Sequence, residues 1–253
     1  MQGIEPALSS YLLSLGDDEL ILGHRDSEWC GYAPILEEDI AFANIALDEI
    51  GHASTWYGLV SVLDGEDPQK YPDRLVYTRP AHEYRNIQMV ELPNGDWAFS
   101  VLRQYLFDTG ESVRLQALQA SAFASLAEAA AKIRTDEIYH QRHSRAWVQR
   151  LGLGTEESNS RMQAALDHLW PYALQMFMPL DEDPLLIESG YIPDPGRLQS
   201  EWEGIVISFF EDCELTPPRQ KSQKISRVDH TPHLKVLLAD MQSVARLEPD
   251  GEW

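Results

Sequence analysis

The chain has 253 residues, 43% of them hydrophobic, which is enough to bury a sizeable core in one large domain or two smaller ones. Its formal net charge of −21 argues against binding to nucleic acid or anionic lipid. No segment approaches the length of a membrane span, and the amino terminus has no basic, apolar signal segment. Because its two cysteines, Cys30 and Cys213, form no disulfide framework, we predict a globular cytoplasmic protein.

Helical periodicity dominates the chain and strand alternation is almost absent, so we predict an all-α protein. The first helix is expected over about residues 6–25 and the second over about 35–63. A long, proline-rich connection follows over residues 64–95, in which a short helix near 80–88 is compatible with the sequence.

Two further long helices follow this connection. Asp96 is a good N-cap for a third helix over residues 97–120, and a fourth covers about 125–151. Ferritin-like four-helix bundles require a long crossover between the second and third helices. We therefore predict a ferritin-like bundle, with its core at about 6–151, in a single domain that spans residues 1–253.

The remaining chain, about residues 155–253, is predicted to add helices to this bundle. One begins after the N-cap Thr155 and runs to about Phe177, and another covers about 196–212. A last helix begins at Thr231 and Pro232, with proline at the first helical position. We expect these helices to form an extension of the same domain.

One pentapeptide pattern, Asp-Glu-Ile-x-His, occurs twice, beginning at Asp48 and at Asp136. Glu and His three residues apart lie on one face of a helix, so both can reach a single metal ion. Helical bundles that bind two metal ions take such a pair from two helices and a lone Glu from each of the other two. One pair can arise by chance, but a repeated pattern indicates a metal site. The ligands predicted from the motifs are Glu49, His52, Glu137 and His140.

The two lone carboxylates are expected on the first and third helices. Glu19 interrupts an apolar helix face, where an unpaired carboxylate is costly unless it binds a metal or a cationic side chain. Glu28, nearer the helix end, is the competing candidate. Glu111 interrupts an apolar strip of the third helix in the same way, although an ion pair with Arg114 is an alternative explanation. We predict Glu19 and Glu111 as the remaining ligands.

The Asp that begins each motif has a predicted supporting role. Metal-bound imidazoles generally donate their other ring proton to a carboxylate or carbonyl oxygen. Asp48 and Asp136 fit this role, and the alternative for each is a solvated charge on a helix surface. The complete set would bind two iron ions, or manganese, and leave positions open for dioxygen or peroxide. No catalytic or substrate-binding residue is assigned.

Several longer segments share a pattern with a known family over nearly the whole chain. They are residues 16–34, 38–41, 43–48, 91–96, 103–105, 150–152, 154–158, 161–166 and 230–242, with Trp253. Together they resemble the C subunit of the phenylacetyl-CoA epoxidases (PaaC), which belongs to the ferritin-like superfamily. The resemblance implies a helical subunit of a monooxygenase complex in phenylacetate catabolism, paired with a homologous catalytic A subunit. It also implies a separate reductase that supplies electrons for epoxidation of an acyl-CoA.

C subunits of this family have lost most metal ligands, so the resemblance further implies a non-catalytic subunit. This chain departs from that pattern, because all six predicted ligand positions are filled. Three functions remain open. They are a di-iron oxygenase subunit, a structural subunit that docks the catalytic partner, and a free-standing ferritin-like protein that handles iron or peroxide. A homodimer is compatible with each. The basic segment 219–227 can meet CoA phosphates or an acidic partner, but a solvated loop is favoured.

Overall fold

The computed structural model describes residues 3–219 and 225–248, and the described residues contain helices but no strand. The helices are α1 (Ile4–Ser27), α2 (Leu36–Asp64), α3 (Tyr71–Tyr77), α4 (Gln88–Glu91), α5 (Trp97–Leu118), α6 (Ala124–Gly152), α7 (Glu156–Ala173), α8 (Asp183–Glu188), α9 (Pro195–Asp212), α10 (Pro232–Met241) and α11 (Ser243–Leu247). The prediction of an all-α fold is therefore confirmed. None of the described helices is both long and apolar enough to cross a membrane.

Four long helices, α1, α2, α5 and α6, form the bundle. Helix α1 packs along α2, α5 packs along α6, and α2 also contacts α6, so the bundle consists of two helical hairpins side by side. The crossover between α2 and α5 is present as predicted. Within it, the range 80–88 contains a 3₁₀ turn at Ala81–Glu83, and α4 begins only at the end of that range, instead of one short helix.

Helix ends follow the capping residues in the sequence. The side chain of Asp96 accepts a hydrogen bond from the backbone N–H of Phe99 at the start of α5, as predicted. Thr155 and Ser158 form a reciprocal capping box at the start of α7. Gly65 ends α2 in the left-handed conformation, which is the usual role of glycine at that position.

Two glycines of α1 allow a close approach to α2. A Cβ atom at Gly16 would lie 2.6 Å from the ring of Tyr57, and one at Gly23 would lie 2.9 Å from the Cβ of Glu49. Larger residues at these positions would push the two helices apart. Because Glu19 lies between the glycines on α1, the close approach brings its carboxylate to Glu49 of α2.

The C-terminal helices cover the bundle on the side of α5. Helices α7 and α9 pack against α5, and Trp202 donates a hydrogen bond of 3.1 Å to the carbonyl oxygen of Leu106. Beyond α9, Arg227 is buried in an ion pair with Asp18 of α1, at 2.8 Å. Arg227, the last residue of the predicted basic segment, is thus not solvated. Residues 220–224 of that segment lie outside the described residues.

Candidate metal centre

The two Asp-Glu-Ile-x-His motifs lie on α2 and α6, and their Glu and His side chains meet inside the bundle. All four of these side chains are buried. Nδ1 of His52 lies 3.6 Å from Oε2 of Glu19, 3.9 Å from Oε2 of Glu49 and 3.6 Å from Oε1 of Glu137. Three carboxylates from three helices therefore surround one imidazole nitrogen.

The second imidazole faces the same two motif carboxylates. Nδ1 of His140 lies 3.2 Å from Oε1 of Glu137 and 3.5 Å from Oε1 of Glu49. The centroids of the two His rings are 5.9 Å apart. Glu49 and Glu137 thus lie between the two rings, where each carboxylate can bridge two metal ions.

The Asp of each motif contacts the His of the other motif. Nε2 of His52 lies 3.4 Å from Oδ2 of Asp136, and Nε2 of His140 lies 3.2 Å from Oδ2 of Asp48. The side chains of Asp136 and Asp48 are 49% and 45% exposed, so each connects a buried imidazole to the surface. When Nε2 donates to the carboxylate, Nδ1 is the nitrogen that presents a lone pair to the interior.

Several polar atoms at the centre of the bundle are buried and have no hydrogen-bond partner among the described residues. They are both carboxylate oxygens of Glu19, Oε2 of Glu49, Oε2 of Glu137 and Nδ1 of His52. Buried carboxylates without a partner are costly, and a bound cation is a usual compensation. The arrangement therefore fits a metal site.

Asp108 of α5 joins this group and is not among the residues predicted from the sequence. Its carboxylate is buried and accepts hydrogen bonds of 2.7 Å from both Gln104 and Ser144. Two sets of residues can hold a metal ion, and within each set the possible ligand atoms lie within 4.8 Å of one another. The first set is Glu19, Glu49, His52 and Glu137, and the second is Glu49, Asp108 and His140. Asp108 lies on α5 about one turn before the predicted Glu111, and this spacing is the signal that could have indicated it.

Glu111 is in neither set. It forms an ion pair with Arg114, whose other Nη donates a 2.9 Å hydrogen bond to the carbonyl oxygen of Met176. The alternative considered for this residue, an ion pair on one helix face, is thus present, and its role as a ligand stays a prediction. Glu28, the competitor of Glu19, forms a 2.6 Å ion pair with Arg25.

Burial and mutual repulsion control protonation of the carboxylates. Burial, together with the nearby charge of Glu49, raises the pKa of Glu19 well above its ordinary value and also raises the pKa of Glu137. Burial and the charge of Glu137 raise the pKa of Asp108 well above its usual range. Burial also opposes ionisation of Glu49, but the neighbouring Glu19, when protonated, and the imidazole of His140 outweigh it and lower the pKa of Glu49 to about 2. The raised pKa values favour the protonated forms of Glu19, Asp108 and Glu137, and bound metal ions would displace these protons.

The charges of the cluster match a pair of divalent ions. The two sets contain four carboxylates and two imidazoles, so the four carboxylates, when ionised, would balance the four positive charges of two divalent ions. Glu111 is left out of this balance because Arg114 already compensates its charge. Carboxylate oxygens and imidazole nitrogens together suit first-row transition metals such as iron and manganese.

Comparison with known proteins assigns the chain to a family. The family described as "Phenylacetic acid catabolic protein" matches residues 2–253. The C subunit of the 1,2-phenylacetyl-CoA epoxidase of Escherichia coli K12 is 37% identical over 97% of this chain and 99% of its own length. The A subunit of the same enzyme is 27% identical over 62% of this chain and 50% of its own length. The match over the whole chain, together with the ferritin-like bundle, shows that the chain belongs to the phenylacetic acid catabolic protein family.

Proposed function

We propose that the chain is a C-type subunit of a phenylacetyl-CoA epoxidase and that it binds two iron ions between α1, α2, α5 and α6. The single observation that carries the metal site is the group of buried carboxylate oxygens without partners around two inward-facing Nδ1 atoms. The identity of 37% to the C subunit of the Escherichia coli enzyme supports the complex. Manganese fits the same ligands and is the second choice of metal.

The ligands would divide into two groups, which have Glu49 in common. One ion would be held by Glu19, Glu49, His52 and Glu137. The other would be held by Glu49, Asp108 and His140. We place Asp108 in the position predicted for Glu111, because the charge of Glu111 is compensated by Arg114.

Bound iron would supply the activation of dioxygen that epoxidation of an aromatic acyl-CoA requires. The protein keeps water from the proposed ligands, since all six are buried: Glu19, Glu49, His52, Asp108, Glu137 and His140. Asp48 and Asp136 orient the two imidazoles by accepting the protons on Nε2. Gln104 donates hydrogen bonds to Oε1 of Glu49, at 3.0 Å, and to Asp108, and so fixes one carboxylate from each of two helices.

The proposed partner is an A-type subunit. The two relatives are named as the C and A subunits of one enzyme, and both are similar to this chain. Co-expression with the A-type protein should give a complex that elutes together in size-exclusion chromatography. Recovery of two separate proteins would contradict the proposed pairing.

Metal analysis tests the proposed centre directly. The purified protein, loaded with Fe(II) under anaerobic conditions, should bind about two iron ions per chain. The double variant Glu49→Ala, His140→Ala should bind none, and its circular dichroism should show that the helices are retained. A wild-type protein without iron or manganese after loading would exclude the metal site and leave a structural subunit that docks its partner.

An activity assay distinguishes an oxygenase from a subunit whose metal centre is accessory. Phenylacetyl-CoA, NADPH and a reductase are added to the loaded protein with and without the A-type partner. Product formed by this chain alone would make it an oxygenase. Product that depends on the A-type partner, and persists with the Glu49→Ala, His140→Ala variant, would make its metal centre accessory.

A further inference from the structure

Helix α6 carries basic side chains without an ion-pair partner among the described residues. They are Lys132, Arg134, Arg142, Arg145 and Arg150. The exposed Glu128 and Asp136 lie one turn before and after Lys132. Acidic residues outnumber basic ones 41 to 20 in this chain, so unpaired cations on one helix are unexpected. By contrast, Arg79 and Arg227 pair with carboxylates in the interior, and Arg161 does so at the surface.

Some of these cations form a patch with exposed apolar residues on the outer face of α6. Lys132, Tyr139, Arg142 and Arg150 are exposed and follow one another at helical spacing, over about 27 Å. Tyr139 is 53% exposed and Ile138 is 37% exposed at the centre of the patch. Arg150 stacks on the ring of Trp147, whereas Lys132 and Arg142 have no side-chain partner among the described residues. We call this surface the α6 face.

The α6 face lies directly above the candidate metal centre. Glu137 and His140 point inward from the same turns of α6 that expose Ile138 and Tyr139. Beside the face, the half-exposed Asp136 contacts Nε2 of His52, so one carboxylate and one imidazole separate solvent from the ligand cluster. The ring of Tyr139 lies 6.3 Å from that of His140, between ring centroids. The exposed ring of Tyr139 is therefore close to a proposed ligand.

We propose that the α6 face is the docking surface for an acidic electron-carrier protein, an inference that rests on the proposed metal centre. In the step it would serve, the carrier would lose one electron and a ferric ion held by the proposed ligands would gain it. Unpaired cations attract an acidic carrier and accelerate its association. The exposed Ile138 and Tyr139 supply the apolar centre that such a contact needs, with charges at its rim.

The size and charge of the α6 face favour a transient carrier over a second copy of the chain. Redox encounters commonly bury less than about 1,200 Å² in total, which a single helix face can supply. A two-fold contact between the α6 faces of two copies would place like charges opposite one another, and this is unfavourable.

Binding is measured first on the metal-free protein, so that the result does not depend on the proposed centre. The probe is an acidic plant-type [2Fe–2S] ferredoxin, titrated calorimetrically at low salt and at about 0.15 M salt. The test variant is Lys132→Glu, Arg142→Glu. The matched control is Arg197→Glu, Lys235→Glu, which makes the same charge change at exposed residues of α9 and α10.

Wild type and control should bind the ferredoxin at low salt and weaken as salt rises, whereas the test variant should bind at least about tenfold more weakly. Absence of binding to wild type, or equal loss in both variants, would overturn the proposal. So would a wild-type dimer in analytical ultracentrifugation that the test variant alone dissociates, because the face would then bind a second copy.

The rate of electron transfer is then measured on iron-loaded protein by stopped-flow absorbance. Reduction by the ferredoxin should be about tenfold slower in the test variant at low salt, while reduction by dithionite should be equal in all three proteins. Equal ferredoxin rates would refute the docking site. Iron content is measured in parallel, so a failure of the metal centre is recognised separately from a failure of docking.

Discussion

Three consecutive acidic residues of α1, Asp17, Asp18 and Glu19, are all buried but have opposite surroundings. Asp17 accepts hydrogen bonds from Arg79, from the hydroxyl of Tyr57 at 2.6 Å and from a backbone N–H. Asp18 pairs with Arg227. Neither oxygen of Glu19 has a partner among the described residues. Among the described residues, arginines thus pair with Asp17 and Asp18 but not with Glu19.

This difference distinguishes the two structural carboxylates from the candidate ligand Glu19 within a single turn of helix. Asp17 and Asp18 attach the crossover and the C-terminal segment to α1, since Arg79 and Arg227 belong to those segments. Glu19 faces the other carboxylates of the bundle, and their combined repulsion favours a cation from solution. Loss of an arginine that pairs with Asp17 or Asp18 should therefore destabilise the protein. Replacement of Glu19 should affect stability mainly when metal is bound.

The largest effect on stability is expected from breaking the ion pair of Asp17. Arg79→Met would leave Asp17 buried without its counterion, although Tyr57 and a backbone N–H would remain as donors. The free energy of unfolding should fall by about 3 kcal/mol, the lower end for breaking a buried pair. Denaturant unfolding checks this against Arg74→Met, whose exposed pair with Glu66 should matter by less than about 1 kcal/mol. Equal losses in both variants would show that burial of the pair is unimportant.

A somewhat smaller effect on stability is expected from metal binding at Glu19. Fe(II) at about one hundred times its dissociation constant should raise the free energy of unfolding by about 2.7 kcal/mol, because the ions bind only the folded chain. The Glu19→Gln variant should lose most of this gain. In the absence of metal it should unfold much like wild type, because burial raises the pKa of Glu19 and so favours the neutral form that Gln resembles. A gain that survives in Glu19→Gln would remove Glu19 from the ligand set.

Much of the fold follows from the sequence alone. Hydrophobic periodicity and the caps Asp96 and Thr155 predict the long helices to within a few residues at most ends. The short helices α3 and α8 are not predicted, because elements of one or two turns have too few residues to establish a period. Contacts such as that of Arg227 with Asp18 are equally out of reach, since they join distant parts of the chain.

The candidate site is predicted less completely than the fold. The repeated motif indicates Glu49, His52, Glu137 and His140 because their spacing is local, and the structure brings them together with Glu19. On α5 both Asp108 and Glu111 interrupt the apolar face, and sequence spacing cannot decide which one Arg114 neutralises. The crossed contacts of Asp48 with His140 and of Asp136 with His52 depend on how two helices face each other.

These crossed contacts predict a moderate effect on metal affinity. Asp48→Ala should weaken Fe(II) binding by about 10- to 100-fold, because the imidazole of His140 loses the carboxylate that orients it. Competition with a metal-sensitive dye measures the affinity. Asn44→Ala, at an exposed position one turn earlier on α2, is the matched control and should leave it unchanged. If both variants bind iron like wild type, Asp48 is only a solvated helix charge.

The smallest effect on metal binding is expected at Glu111, the carboxylate that the protein already neutralises. Glu111→Gln should change Fe(II) affinity by no more than about 0.5 kcal/mol, as expected for residues that are not coupled. Its isosteric counterpart Asp108→Asn should lose about one of the two ions, because the second set then retains only Glu49 and His140. Inductively coupled plasma analysis measures the iron content. Denaturant unfolding of the metal-free proteins measures how much stability Glu111→Gln loses because Arg114 has lost its ion-pair partner. The reverse result would make Glu111 the lone carboxylate ligand of α5, which would require Arg114 to release it when metal binds.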